Sequence, residues 1–243
     1  MKIAVGFFGI TRSLKYTIES IEENIFNVFK ENNIEYDIFM HTYFLKSYQN
    51  SRANEKKTNE IDNEEYKLLS PKYLTIDDQD EIREKLNLTS YRKHRDPWGT
   101  NYQSVDFFIL GSYSRYILTN MIENAENNYD YILFVRPDCL YRDKLDLKYF
   151  DLINNKRIVI PDFGLTTTKV GNINDRFAIT NKCTYKIYGQ IFLQLLDLSE
   201  KMPLHSEKIL GLVLFNNNIS IKNVKFRFAR IRYDGSTANL DKK

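Results

Sequence analysis

Tyr131-Ile-Leu-Phe-Val-Arg-Pro-Asp-Cys139 is the stretch that decides how this chain folds. Ile132 to Val135 are β-favouring or apolar, the pattern of a fully buried strand. The apolar run then stops at once. Arg136, Pro137 and Asp138 put a cation, a chain stiffener and a carboxylate where the strand leaves the core. In open α/β sheets, ligands sit outside the carboxyl ends of the strands. An Arg and an Asp at that point suit a charged ligand. The competing reading is a strand end closed by a salt-bridged turn.

Toward the N-terminus, Lys2 to Phe8 reads as a buried first strand, followed by Gly9-Ile10-Thr11-Arg12-Ser13. Leu14, Ile18, Ile21, Ile25, Val28 and Phe29 recur at helical steps and predict a helix over about 13–32, with Thr11 or Ser13 as its cap. A helix N-terminus beside Arg12 suits a phosphate. It is neither a dinucleotide fingerprint nor a Walker loop, because the required glycines and the Gly-Lys-Ser/Thr are missing. An ordinary capped βα turn competes with it. Tyr36 to Tyr43 is the second strand, with His41 and Thr42 at its carboxyl end. Residues 45–70 are polar and read as a solvated excursion with one helix near Glu64 to Leu69. Lys72 to Ile76 is a third strand, Asp77 to Leu86 a helix, and about 102–127 a long helix leading into the central strand. The cluster Arg92 to Arg95 beside Trp98, the single tryptophan, suits an anion or a sugar face, with a solvated loop as the alternative.

Beyond the central strand, Arg157 to Ile160 is another buried strand, stopped by Pro161-Asp162. Phe163 to Asn174 reads as a loop and candidate lid. Phe177 to Thr180 is a short strand, 182–198 and 205–216 are helices, and 219–233 holds one or two strands. Strands alternating with helices argue for a parallel sheet with helices packed on it. The 243 residues suffice for one α/β domain. The charge of +3, from 35 basic and 32 acidic residues, is too balanced for a nucleic-acid protein. No apolar run approaches the roughly 20 residues a membrane span needs. Met1-Lys2 leads straight into a strand and leaves no room for a signal peptide. A cytoplasmic protein is therefore expected, with Cys139 and Cys183 as buried free thiols.

Taken together, several motifs resemble those of small glycosyltransferase-like proteins found in bacterial surface-polysaccharide clusters and in large DNA viruses. They are Asp37-Ile-Phe-Met-His41-Thr42, Leu133-Phe-Val-Arg136-Pro-Asp138, Asn174-Asp175-Arg176-Phe177-Ala178-Ile179, His205-Ser-Glu207-Lys-Ile-Leu and Arg230-Ile-Arg232-Tyr-Asp-Gly. They span nearly the whole chain in the expected order. The resemblance implies a GT-A-like fold: a Rossmann-type, mostly parallel central sheet flanked by helices, in a single domain. About 1–140 would form the nucleotide-sugar half and 141–243 the acceptor half. It implies transfer of a sugar from a nucleoside-diphosphate donor, hexosyl or deoxyhexosyl, to a glycan acceptor in surface or capsid polysaccharide. A viral member would work in the host cytoplasm. The alternative is a non-catalytic nucleotide-sugar or carbohydrate-binding protein on the same fold.

Most GT-A enzymes end the central strand in Asp-x-Asp, which holds a divalent metal on the donor diphosphate. Here the first carboxylate is replaced by Arg136. Two expectations follow. Asp138 with diphosphate oxygens holds Mg²⁺ or Mn²⁺, or Arg136 neutralises the diphosphate itself, helped by Arg12 or by Arg230 and Arg232. The resemblance further places Gly9, Thr11 and Arg12 in the nucleotide pocket, His41 and Thr42 nearby, and Arg136 and Asp138 at the diphosphate and ribose. Asp175 is the first choice for general base, Glu207 the second and Asp162 the third. Against these stand structural roles, with Asp175 capping a turn beside Arg176 and Glu207 capping its helix.

Overall fold

Seven strands form one sheet in the computed structural model, which describes residues 1–238. They are β1 Lys2–Phe8, β2 Glu35–Phe44, β3 Tyr73–Asp78, β4 Tyr131–Val135, β5 Arg157–Pro161, β6 Phe177–Asn181 and β7 Ser220–Val224. Their order across the sheet is β3-β2-β1-β4-β6-β5-β7. β6 runs antiparallel to its neighbours β4 and β5, and the other pairings are parallel. The result is a mostly parallel sheet flanked by helices in one domain. No helix of the described residues is long and apolar enough to cross a membrane.

The central strands are apolar on both faces because both faces are covered. Ile3, Val5, Phe7, Leu133 and Val135 pack with Ile21, Ile25 and Phe29 of α1 (18–31). Ala4, Ile132 and Phe134 face the other way, against Ile109, Leu118 and Ile122 of α3 (Gln103–Glu123). Each such side chain, fully buried, contributes about 1.5–3 kcal/mol. Gly6 of β1 lies under Leu118, where a Cβ would sit 2.8 Å from Leu118 Cδ2. Small size, not turn-forming freedom, is what this glycine supplies.

The connectivity creates a crevice. From β1 the chain moves outward to β2 and β3, passes through α2 (Gln79–Leu86) and α3, and re-enters as β4 on the opposite side of β1. The order reverses between β1 and β4, so the gap beyond their carboxyl ends is the place an open α/β sheet offers to a ligand. Gly9 follows β1 there at φ +96°, a backbone conformation that glycine adopts without a Cβ clash. After β4, Cys139–Tyr141 forms a second, antiparallel ladder with Phe228–Arg230, pairing Arg230 with Cys139. That ladder carries the C-terminal arginines back to the crevice.

Several expectations change. The N-terminal helix begins at Ile18, after a tight turn at Leu14–Tyr16, and neither Thr11 nor Ser13 caps it. Ser13 Oγ donates instead to the Ile231 carbonyl (3.0 Å) and Thr17 Oγ1 to the Pro137 carbonyl (2.6 Å). Long-range partners replace the local cap. The 45–70 excursion contains a hairpin, Tyr48–Asn50 with Glu55–Thr58, before the expected helix, which is a short 3-10 helix at Glu65–Leu69. The Phe163–Asn174 loop also folds into a hairpin, Thr166–Thr168 with Gly171–Ile173. The helix expected over 182–198 is broken into α4 (Tyr185–Gly189), a tight turn at Ile191–Gln194 and α5 (Leu195–Ser199). α6 (Ser206–Asn216) follows. Cys139 is buried but Cys183 is exposed, and both thiols are free.

Candidate active site

A cleft of about 420 Å³ opens beyond β1 and β4. Its floor is Phe8, Gly9 and Ile10 after β1 and Arg136-Pro137-Asp138 after β4. The first half of α3 forms one wall with Phe107, Phe108, Gly111 and Ser112, and the Tyr48–Thr58 hairpin contributes Tyr48 and Asn50. Asp175 and Arg176 enter from the turn before β6, and Ser206 and Glu207 from the start of α6. Arg230 and Arg232 come from the C-terminal ladder. Seven arginines and three carboxylates line the cleft, so the chain's small excess of positive charge is concentrated here. A low-dielectric cavity of one sign attracts an anionic ligand.

Asp138 is the electrostatic centre. It is buried, and its carboxylate accepts a two-pronged bond from Arg136, Nε to Oδ1 at 2.8 Å and an Nη to Oδ2 at 2.6 Å. An Arg12 Nη approaches Oδ2 at 3.4 Å. Burial by itself would raise the Asp138 pKa. The guanidinium groups of Arg136 and Arg12 outweigh it and hold the carboxyl well below the usual carboxylate range. Arg12 is held again from behind. Its Nε lies 3.5 Å from Glu55 Oε1 and its guanidinium stacks 4.8 Å from the Tyr48 ring centre. Glu55 is itself buried, accepts from Tyr48 OH (3.1 Å) and the Tyr233 N–H (3.2 Å), and pairs with Arg232 at 3.6 Å. Arg12, Arg136 and Arg232 are thus fixed before any ligand arrives, which is the preorganisation an electrostatic site needs.

That arrangement bears on the metal expectation. Among the described residues no group of three His, Cys, Asp or Glu side chains converges as a metal site. Both oxygens of Asp138 are taken by arginine, and a divalent cation there would lie against the guanidinium groups of Arg136 and Arg12. The donor set does not fit Mg²⁺ or Mn²⁺ without dismantling this pairing.

The two candidate bases in the cleft differ. The turn beside Arg176 is capped by Asn174, whose Oδ1 accepts the Arg176 N–H at 3.0 Å, so Asp175 is not the cap. Asp175 is half-buried, and its carboxylate makes no hydrogen bond or ion pair among the described residues. Glu207 accepts from Ser206 Oγ (2.6 Å) and lies 3.2 Å from His205 Nδ1. Burial would raise its pKa, but those partners bring it below its ordinary value. His205 in turn stacks on Trp98, ring centres 4.9 Å apart, at the cleft edge.

Gly9, Arg12, Arg136, Asp138, Asp175, Glu207, Arg230 and Arg232 therefore meet in one place. Four expected residues do not line it. Thr11 and Thr42 are buried beneath the surface. His41 is fully buried, with Nδ1 2.7 Å from Ser114 Oγ and Nε2 3.1 Å from Asp77 Oδ2. Ser114 Oγ also accepts the Gly9 N–H at 2.8 Å, so His41 supports the glycine turn and does not reach the cleft. Asp162 is exposed, with its backbone N–H donating to the Val224 carbonyl. Within the Arg92–Arg95 cluster, Arg92 pairs with Asp106 at 2.8 Å and Lys93 with Glu200 at 3.3 Å, and none of the four lines the cleft. Sequence reasoning missed Arg115, Tyr48 and Glu55. The last two lie in a polar stretch whose composition signals solvent.

The chain matches no protein-family profile and no curated protein. Among solved structures it is similar to the galactosyltransferase LgtC in complex with donor and acceptor sugar analogues, at TM-score 0.49 and 11% identity over 92% of this chain and 73% of that one. It is similar to mouse xyloside xylosyltransferase 1 in apo form, at TM-score 0.46 and 12% identity over 92% and 85%. It is also similar to the apo glycosyltransferase GlyE of Streptococcus pneumoniae, at TM-score 0.41 and 16% identity over 92% of this chain and 45% of that one. TM-scores below 0.5 at such identities say nothing about what this chain acts on.

Proposed function

We propose that this protein is a glycosyltransferase that moves a sugar from a nucleoside-diphosphate donor to a hydroxyl of a glycan acceptor, with arginine in place of a metal at the diphosphate. The observation that carries the reading is the meeting of Arg12, Arg136 and Arg232, each already oriented by a buried carboxylate, with an untethered Asp175 at the β1/β4 switch point. Glycosyl transfer breaks the bond between the anomeric carbon and the β-phosphate oxygen as the acceptor oxygen bonds that carbon. Negative charge grows on the departing diphosphate, and guanidinium forks suit phosphate oxygens. Asp138 acts as the keel of this set: it aligns Arg136 and Arg12 and does not itself touch phosphate. The acceptor hydroxyl must lose a proton, and the Asp175 carboxylate, with no hydrogen bond or ion pair among the described residues, takes it. The glycine turn lets the backbone approach the nucleotide, and the Ser114–His41–Asp77 relay holds that turn in place.

The test is a panel of UDP-, GDP- and dTDP-sugars, each followed by thermal shift and by slow donor hydrolysis, in EDTA and in Mn²⁺. One nucleotide class is expected to raise the melting temperature and to be hydrolysed equally in both buffers. A melting curve indifferent to every donor, with no hydrolysis in either buffer, removes the proposal. Hydrolysis that appears in Mn²⁺ alone removes the arginine-for-metal part and keeps the rest.

A further inference from the structure

We infer that Arg115 recognises a carboxylate on a sugar substrate, so that the enzyme handles an acidic sugar. This rests on the glycosyl-transfer reading above and narrows its substrate class. Arg115 projects from α3 and is 4% exposed, yet it borders the cleft. Its guanidinium carbon lies 4.7 Å from the Tyr188 ring centre and 5.5 Å from that of Phe8. Its Nε is buried with no hydrogen-bond partner, and among the described residues it forms no ion pair. Arg12, Arg136 and Arg232 differ on this point, since each is held by Asp138 or Glu55.

A buried guanidinium without a counter-ion is costly, and ring faces offset only part of the lost hydration. The rings of Phe8 and Tyr188, with the Tyr188 hydroxyl as a further polar contact, hold the guanidinium in place beside the cleft, and its buried Nε–H still lacks an acceptor. A carboxylate is planar and matches a guanidinium edge with two parallel bonds. The location selects the sugar end of the substrate. Tyr188, fully buried behind the cleft wall, donates its hydroxyl to the Asp175 carbonyl at 3.4 Å and packs its ring on Arg115, so Arg115 and Asp175 line the cleft on either side of one buried residue. Asp175 is where the acceptor hydroxyl gives up its proton. The carboxylate that meets Arg115 therefore belongs either to the transferred sugar or to the accepting one.

Calorimetric titrations of the full chain separate these cases. The donor arm compares UDP-glucose with UDP-glucuronic acid and UDP-galactose with UDP-galacturonic acid, with free UDP, GDP and dTDP as references. The acceptor arm compares glucose with glucuronic acid in the presence of a saturating nucleotide. In one arm the acidic member is expected to bind at least about tenfold more tightly, as a charge-assisted fork requires. Arg115→Gln should abolish that preference and leave affinity for the free nucleotide within about twofold, with Arg115→Lys intermediate because it keeps the charge and loses the fork. If a nucleotide binds but acidic and neutral sugars tie in both arms, the inference is wrong and the glycosyl-transfer reading survives. The same holds if the preference persists in Arg115→Gln. If no nucleotide binds, the broader reading fails and takes this one with it. Should Arg115→Gln not fold, the wild-type comparison still decides.

Discussion

Asp175 and Asp138 are both carboxylates in one cleft, and their surroundings assign them opposite work. The Asp175 carboxylate makes no hydrogen bond or ion pair among the described residues, so its lone pairs are available for a proton. Asp175→Asn is expected to lower transfer by about 10²–10⁴-fold with donor affinity unchanged, as steady-state kinetics and calorimetry will read. Glu207→Gln should cost far less, because Glu207 already accepts from Ser206 Oγ and lies 3.2 Å from His205 Nδ1. A reversed ranking would make Glu207 the base. Asp138 holds arginines together, and removing it leaves Arg136 and Arg12 facing each other without a counter-charge. Asp138→Asn should therefore destabilise the fold by about 3–5 kcal/mol, the usual cost of breaking a buried pair from one side. Its pH signature has a definite sign. The folded pKa lies below the unfolded value, so its stabilisation is complete above about pH 4 and fades as pH falls toward the folded pKa. Denaturant melts of wild type and Asp138→Asn should run parallel from neutrality to about pH 5 and converge in stronger acid. Residue chemistry of this kind was half legible in advance. Arg136-Pro-Asp138 announces a charged strand end, but which of its members faces a ligand depends on Arg12, which lies 3.4 Å from Asp138 yet far away in sequence.

Helix α3 is the element on which the site depends. It covers one face of the sheet, walls the cleft, supplies Arg115, and through Ser114 holds both Gly9 and His41. Ser114→Ala would leave the Gly9 N–H and His41 Nδ1 without their bond. Each buried orphan costs about 1–3 kcal/mol, so a drop in melting temperature together with weaker nucleotide binding is expected. A loss of stability with nucleotide affinity intact would show that the relay serves the fold alone. One turn beyond Arg115, α3 meets α4 at Gly189, where an added Cβ would collide with Thr119 Oγ1 and come within 3.1 Å of Phe134 Cζ. Gly189→Ala should destabilise by about 1–3 kcal/mol, measurable by chemical denaturation. Thr119→Ala in the same chain should recover part of that loss, since it removes the nearest obstacle. The long helix itself was plain from its apolar spacing. The break of 182–198 into two short helices was not, because the requirement for close approach at Gly189 comes from Thr119 on another element.

At the scale of the whole molecule, function follows from where the sheet reverses its order. On the proposed glycosyl-transfer reading, the arginines gathered at that point make donor binding electrostatic, so nucleotide affinity should weaken several-fold between about 0.05 M and 0.3 M salt as screening shortens the reach of these charges. Titrations at several salt concentrations will measure this, and a flat response would mean that burial, not charge, dominates binding. Much of the architecture is written locally. Ile3 to Phe8 and Ile132 to Val135 must be interior strands, since a run apolar on both faces has nowhere else to go. The alternation of strand and helix then leads to a mostly parallel sheet, and the abrupt charges after Val135 mark the end where the cleft opens. Three further things came only with the tertiary structure. The antiparallel β6 depends on which edge beside β4 was left open. The burial of Glu55 depends on a hairpin that docks against Arg12 and Arg232, although its composition suits water. The retreat of His41 into the interior depends on Ser114 and Asp77, partners on two other elements. Periodicity is a property of neighbours along the chain, and it determines which segments are buried. Charge pairing is a property of neighbours in space, and until the chain is folded nothing in the order of residues says which arginine meets which carboxylate.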